Sequence, residues 1–73
     1  MSDNVYNITE IVGSSTESVA DAVRVGVRRA SETLRHLEWF EVSEIRGHIV
    51  DGEVEHFQVT MKLGMRLEDP AAG

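Results

Sequence analysis

The chain of 73 residues contains no cysteine, one proline, one tryptophan, one tyrosine and two phenylalanines. Without cysteine there is neither a disulfide framework nor thiolate chemistry. No closely spaced set of His, Asp and Glu has structural-zinc spacing, so a metal staple is not expected either. A domain this short buries only about 60% of the surface its unfolded chain exposes, and its stability alone is marginal. With disulfides and metal set aside, oligomerisation is the remaining route to a stable fold. Positive charge is also scarce: seven Lys and Arg stand against thirteen Asp and Glu, a net charge of -6. That balance disfavours non-specific nucleic-acid binding, which needs a basic face to displace counterions, and it disfavours an anionic membrane surface. Long apolar runs are missing, so no segment reaches the roughly 20 residues that span a bilayer. Met1 to Asn4 is polar and no apolar stretch follows, so no secretory leader is expected. The expectation is a single soluble, cytoplasmic domain over residues 1–73, with 1–4 and 69–73 as flexible tails.

Val5 to Val12 alternates and is rich in β-branched residues, the pattern of a first strand. Gly13-Ser14-Ser15-Thr16 has the composition of a break. Two overlapping capping boxes follow, Ser14-x-x-Glu17 and Ser18-x-x-Asp21. Ser18 is the better cap, because the apolar period begins immediately after it. Val19, Ala22, Val23, Gly26, Val27, Ala30, Leu34 and Leu37 then fall on one helical stripe, opposite Asp21, Arg24, Arg28, Glu32 and Arg35. Gly26 inside that stripe costs about 1 kcal/mol relative to alanine, and close approach of the helix to a sheet would offset it.

Trp39 to Val50 and Glu53 to Leu67 read as two strands. In the second, Phe57, Val59, Met61, Leu63, Met65 and Leu67 alternate with His56, Gln58, Thr60, Lys62, Gly64 and Arg66, one apolar face against one polar face. Asp51-Gly52 between them is a hairpin signal. A two-residue turn would place Arg46 opposite Phe57 and mix polar with apolar along the ladder. A three-residue loop, Val50-Asp51-Gly52 with Gly52 left-handed, removes the mismatch and sets Ile45 against Phe57 and Arg46 against His56. The order is strand, helix, strand, strand: an α+β fold in which one helix covers one face of a three-stranded antiparallel sheet. The face bearing Arg46, His48, Gln58 and Arg66 has nothing within the chain to cover it, which implies a partner subunit or a ligand.

Glu10-Ile11-Val12-Gly13-Ser14-Ser15, Trp39-Phe40-Glu41-Val42, Glu44-Ile45-Arg46-Gly47-His48, Asp51-Gly52 and the run from His56 to Asp69 together resemble the dodecin family, bacterial type, over about Tyr6 to Asp69. Met65, where relatives frequently carry an aromatic, is a mild departure. The resemblance implies a β-α-β-β subunit, twelve copies of which form a hollow shell with flavins at subunit interfaces. It further implies that paired flavin rings stack between symmetry-related copies of Trp39, that the Gln58 amide hydrogen-bonds the polar ring edge, and that Arg46 and Arg66 contact phosphate-bearing ligands such as FMN and coenzyme A. Riboflavin and FAD are the alternative flavins.

On the residues alone, Trp39 fits core or interface packing and Gln58 an ordinary exposed amide; the resemblance moves both to flavin binding. Arg46 and Arg66 suit bidentate phosphate contacts and equally suit intersubunit ion pairs. His48 and His56 lack a third ligand and read as interface residues, with no metal site assigned, although shells of this family hold ions on their symmetry axes. The implied function is flavin storage and sequestration without catalysis. The alternatives are a flavin-dependent oxidoreductase, for which the chain has no Gly-x-Gly-x-x-Gly fingerprint, and a purely structural assembly protein.

Overall fold

A computed structural model describes residues 4–68, so the expected tails fall almost wholly outside the described residues. The elements follow the expected order: β1 (Tyr6–Ser15), α1 (Val19–Ala30), β2 (Leu37–Val50) and β3 (Glu53–Arg66). The strands form one sheet in the order β1-β3-β2 with both pairings antiparallel. The strand with the clearest alternation therefore takes the centre, and its apolar face supplies the core: Val59, Met61 and Leu63 are fully buried against Ala22 and Ala30 of α1.

Ser18 caps α1 as expected, its Oγ accepting the Asp21 N–H at 2.9 Å. The reciprocal half of the capping box is replaced. The Asp21 carboxylate instead accepts the Ser15 hydroxyl at 2.7 Å, while Ser15 Oγ accepts the N–H of Glu17 at 2.8 Å. That buried hydroxyl latches the end of β1 to the start of the helix.

Three expectations need correction. The break at Gly13–Ser15 is strand: Gly13 pairs with Val59 and Ser15 with Phe57. The small residues there admit the helix rather than end the strand, since a Cβ on Gly13 would collide with the Ala22 carbonyl. Gly26 serves the same approach from the helix side; a Cβ there would meet Met61 Cε at 3.0 Å and Gly13 Cα at 3.3 Å. Secondly, α1 ends at Ala30, although the apolar stripe continues to Leu37. Ser31 Oγ donates back to the Arg28 carbonyl at 2.7 Å, a local bond of the kind that competes with helix continuation, and His36 reverses the chain with φ 61°. Leu34 and Leu37 still pack on the core, from the connection and from β2.

The third correction concerns the hairpin. Gly52 is left-handed as expected (φ 79°), but so is Asp51 (φ 53°), and Val50 pairs with Glu53. The turn thus has two residues, both at positive φ as a primed turn requires. Parity is restored within β3: the register shifts between His48↔His56 and Ile49↔Val54, leaving Glu55 as the extra residue. Arg46 consequently faces Gln58, and Ile45 faces Val59, not His56 and Phe57. The solution differs from the expected one, yet it keeps polar opposite polar, the requirement that excluded an unbulged two-residue hairpin. Two further shifts, at Glu38 and Ser43 of β2, bend the long hairpin.

Candidate functional site

The registers place Trp39, Arg46 and His48 of β2 on one face with His56, Gln58, Gly64 and Arg66 of β3, and with Tyr6, Ile8, Val12 and Ser14 of β1. The helix lies on the opposite face, so this one is uncovered within the chain. Trp39 pairs directly with Gly64, and a Cβ on Gly64 would fall inside the indole, against Cε2, Cζ2 and Cδ2. Only glycine lets the ring lie across the backbone of the central strand. Tyr6 supports the ring from the other edge of the sheet, with centroids 6.3 Å apart and planes inclined at 58°, a geometry that aromatic quadrupoles favour. Trp39 remains 39% exposed.

Glu38, the extra residue beside Trp39, ties this end together. Its carboxylate accepts the Tyr6 hydroxyl at 3.1 Å and pairs with Arg66 Nε at 3.2 Å. The sequence patterns assign no role to Tyr6, Glu38 or Gly64. An isolated glycine in a strand marks close approach of another group, and that signal would have found Gly64.

Gln58 lies six residues from Gly64 on β3, about 20 Å along the strand at about 3.3 Å per residue. Arg46 stands directly across from it, with Nη2 donating to Glu44 Oε1 at 2.9 Å. On the other side the Gln58 amide is 3.4 Å from His56 Nε2. His56 stacks with His48 at a centroid separation of 5.5 Å and an interplanar angle of 25°. Glu55 sits against both imidazoles, 3.4 Å from His56 Nδ1 and 3.8 Å from His48 Nε2. Among the described residues no group of three or more His, Cys, Asp or Glu could hold a metal ion. The structure therefore groups the four expected site residues as two pairs, Trp39 with Arg66 and Gln58 with Arg46, at opposite ends of one sheet face.

Both arginines are held by exposed ion pairs, which contribute little in water and can be exchanged for an incoming phosphate. The donor set also suits a flavin: an aromatic platform, a side-chain amide offering one donor and one acceptor, and two guanidinium groups on one face.

A small α+β subunit with an aromatic platform on an uncovered sheet face is the class that this geometry defines. Comparison with known proteins gives the family: the chain belongs to the dodecins, whose family model matches residues 5–68. The dodecin of Thermus thermophilus is 48% identical over 65 residues, 89% of this chain and 94% of that protein. The solved dodecin of Streptomyces coelicolor is 56% identical and superposes with a TM-score of 0.88 over 94% of this chain and 99% of that one. That of Streptomyces davaonensis is 53% identical, also with a TM-score of 0.88, over 93% of this chain and all of the other. Membership supports a small flavin-binding protein.

Proposed function

We propose that this chain stores and sequesters flavin, with FMN as the favoured form, as one subunit of a closed shell of twelve copies. Paired flavin rings are held between Trp39 side chains of neighbouring subunits. Gln58 reads the pyrimidine edge, and Arg46 and Arg66 bind phosphate, on FMN or on coenzyme A. The observation that carries the reading is the placement of Trp39 across Gly64 on the uncovered face, where a large indole presents a broad surface to whatever stacks on it.

The separation of the two residue pairs gives the reading its geometry. Trp39 and Gln58 of one subunit stand too far apart to touch a single isoalloxazine ring, so the site is complete only where the Trp39 end of one copy meets the Gln58 end of another. Assembly and binding are then one property of the protein. A ring covered on both faces is also shielded from a hydride donor, and contact with an electron-rich indole quenches its emission. The protein thus holds its ligand dark and does not turn it over.

Titrating FMN into wild type, Trp39→Ala and Trp39→Phe while following fluorescence separates affinity from quenching. Wild type should bind and darken the flavin. Trp39→Ala should bind markedly more weakly and leave its residual ligand bright, because each aromatic contact contributes about 0.5–1.5 kcal/mol beyond area burial. Trp39→Phe should keep part of the affinity and lose most of the quenching. Bright bound flavin in the wild type, or rapid reduction of bound flavin by a nicotinamide cofactor, would replace storage with an enzymatic reading.

A further inference from the structure

The corner around Gln58 contains a titratable group with no role in the reading above. His56 Nδ1 is 3.4 Å from the Glu55 carboxylate. This is a charge contact and not a hydrogen bond, but the carboxylate on that side favours the tautomer that carries its proton on Nδ1. In a neutral imidazole the second nitrogen is then an acceptor. That nitrogen, Nε2, is the one facing Gln58 at 3.4 Å. The amide must therefore turn an N–H toward His56, which leaves Oε1 and its other N–H directed away. Both side chains are half-buried, which limits how far the amide can turn its groups to water.

We propose that His56 sets the orientation of the Gln58 amide and thereby makes flavin uptake depend on whether the His56 imidazole is neutral. The inference rests on the flavin reading of Gln58. A flavin's pyrimidine edge presents an imide N–H flanked by two carbonyls. With neutral His56, Gln58 offers that edge an acceptor and a donor together, and its remaining N–H is occupied by His56. Protonation turns Nε2 into a donor. The amide then swings Oε1 toward the ring and its NH2 outward, setting donor against donor at the imide.

Around this corner, Arg46, His48 and Glu44 face the site from β2, Glu55 from the bulge of β3, and Ser14 from β1 opposite Gln58. The helix packs on the other face of the sheet. Glu55 is shared between the two imidazoles, and His48 stacks on His56 without reaching Gln58 through any hydrogen bond. His56 is thus a positioning residue, acting on the ligand only through Gln58.

The test uses the assembled protein with riboflavin, which has no phosphate to titrate, and with 3-methylriboflavin, which lacks the imide proton. Dissociation constants are measured from pH 8 to pH 5. Wild type should lose riboflavin affinity about tenfold across that range, the scale of one hydrogen bond reversed. It should bind 3-methylriboflavin with little pH dependence. His56→Phe keeps an aromatic ring beside His48 but cannot titrate, and should flatten the riboflavin profile at an intermediate affinity. His48→Phe should leave the profile as in wild type. Equal losses for both ligands, or a sloping profile in His56→Phe, would place the pH effect elsewhere and overturn the inference. A flat wild-type profile with tight binding would also sink it while leaving the flavin reading intact. No binding of either ligand at pH 8 would overturn that reading, and the inference with it.

Discussion

The two halves of the sheet share a central strand and are finished in opposite ways. On the β1 side, α1 lies across the ladder, and the apolar side chains of β3 meet Ala22, Gly26 and Ala30 at van der Waals distance. On the β2 side the ladder is broken by three register shifts, and every residue from Glu38 to Val50 is exposed. Phe40, Val42, Ile45 and Ile49 point to the helix side of the sheet; Phe40 shares a cleft with Ala20, Val23 and Arg24 of α1, but Ile45 and Ile49 stay 59% and 68% exposed. A row of β-branched and aromatic side chains on the apolar face of an edge strand is a hazard in an isolated protein. In the assembly proposed above it is an interface. One half is the core of the chain, and on the proposed assembly the other is a core that further copies complete.

Two substitutions of apolar residues should break that comparison most sharply if it is wrong. Met61 is fully enclosed between the sheet and the two helix-contact glycines. Met61→Ala should remove about 2–5 kcal/mol, the range for a large side chain deleted from a core. In so small a domain that rivals the entire stability, so urea unfolding at fixed protein concentration should show a steep fall in midpoint or no folded protein at all. Ile45→Asp touches the unfinished half. It should leave the β-α-β-β subunit its secondary structure, as followed by circular dichroism, while light scattering shows the large assembly replaced by smaller species. A carboxylate buried without a partner at an interface is strongly unfavourable. An Ile45→Asp protein that assembles normally would mean the exposed row on β2 is not where copies meet.

The same division explains what was legible in the sequence. Period-2 alternation from Phe57 to Leu67 specified the central strand and its buried face, because a strand covered on one side must alternate. Ser18 was readable as a cap because its chemistry is local. The shared face of Arg46, Gln58 and Arg66 followed from parity. The bulge could be inferred from polar–apolar mismatch but not positioned, since an extra residue at Glu55 and a longer turn restore the same alternation. The end of α1 is hidden in the sequence because Leu34 and Leu37 continue the helical period while packing on the core from a connection and a strand. Gly64 beneath Trp39 and His56 beside Gln58 depend on neighbours across the ladder. Their roles emerge only once the register is known. In the proposed assembly, which copies supply the two ends of each site follows from symmetry, which a single chain does not encode locally.

The smallest expected effect lies where β3 leaves the sheet and meets the start of β2. Glu68 is held at this junction by His36 Nε2 at 2.9 Å and by Arg35 Nη2 at 3.2 Å. The hydrogen bond from His36, and after it the charge of Arg35, lower its pKa below the usual glutamate value of 4.5. A carboxylate whose folded-state pKa is depressed adds stability that is fully present above its unfolded value and disappears as pH falls through the folded one. Glu68→Gln keeps an acceptor for His36 but removes the charge. The variant should therefore melt slightly below wild type at neutral pH, and the gap should close as the solution is taken below the ordinary carboxylate range. Added salt should narrow it too, because the group is solvent-exposed and screened. A gap that persists unchanged in acid would show that the Glu68 charge does not act at this junction. A gap as large as that of Met61→Ala would place the closing turn of the chain with the core.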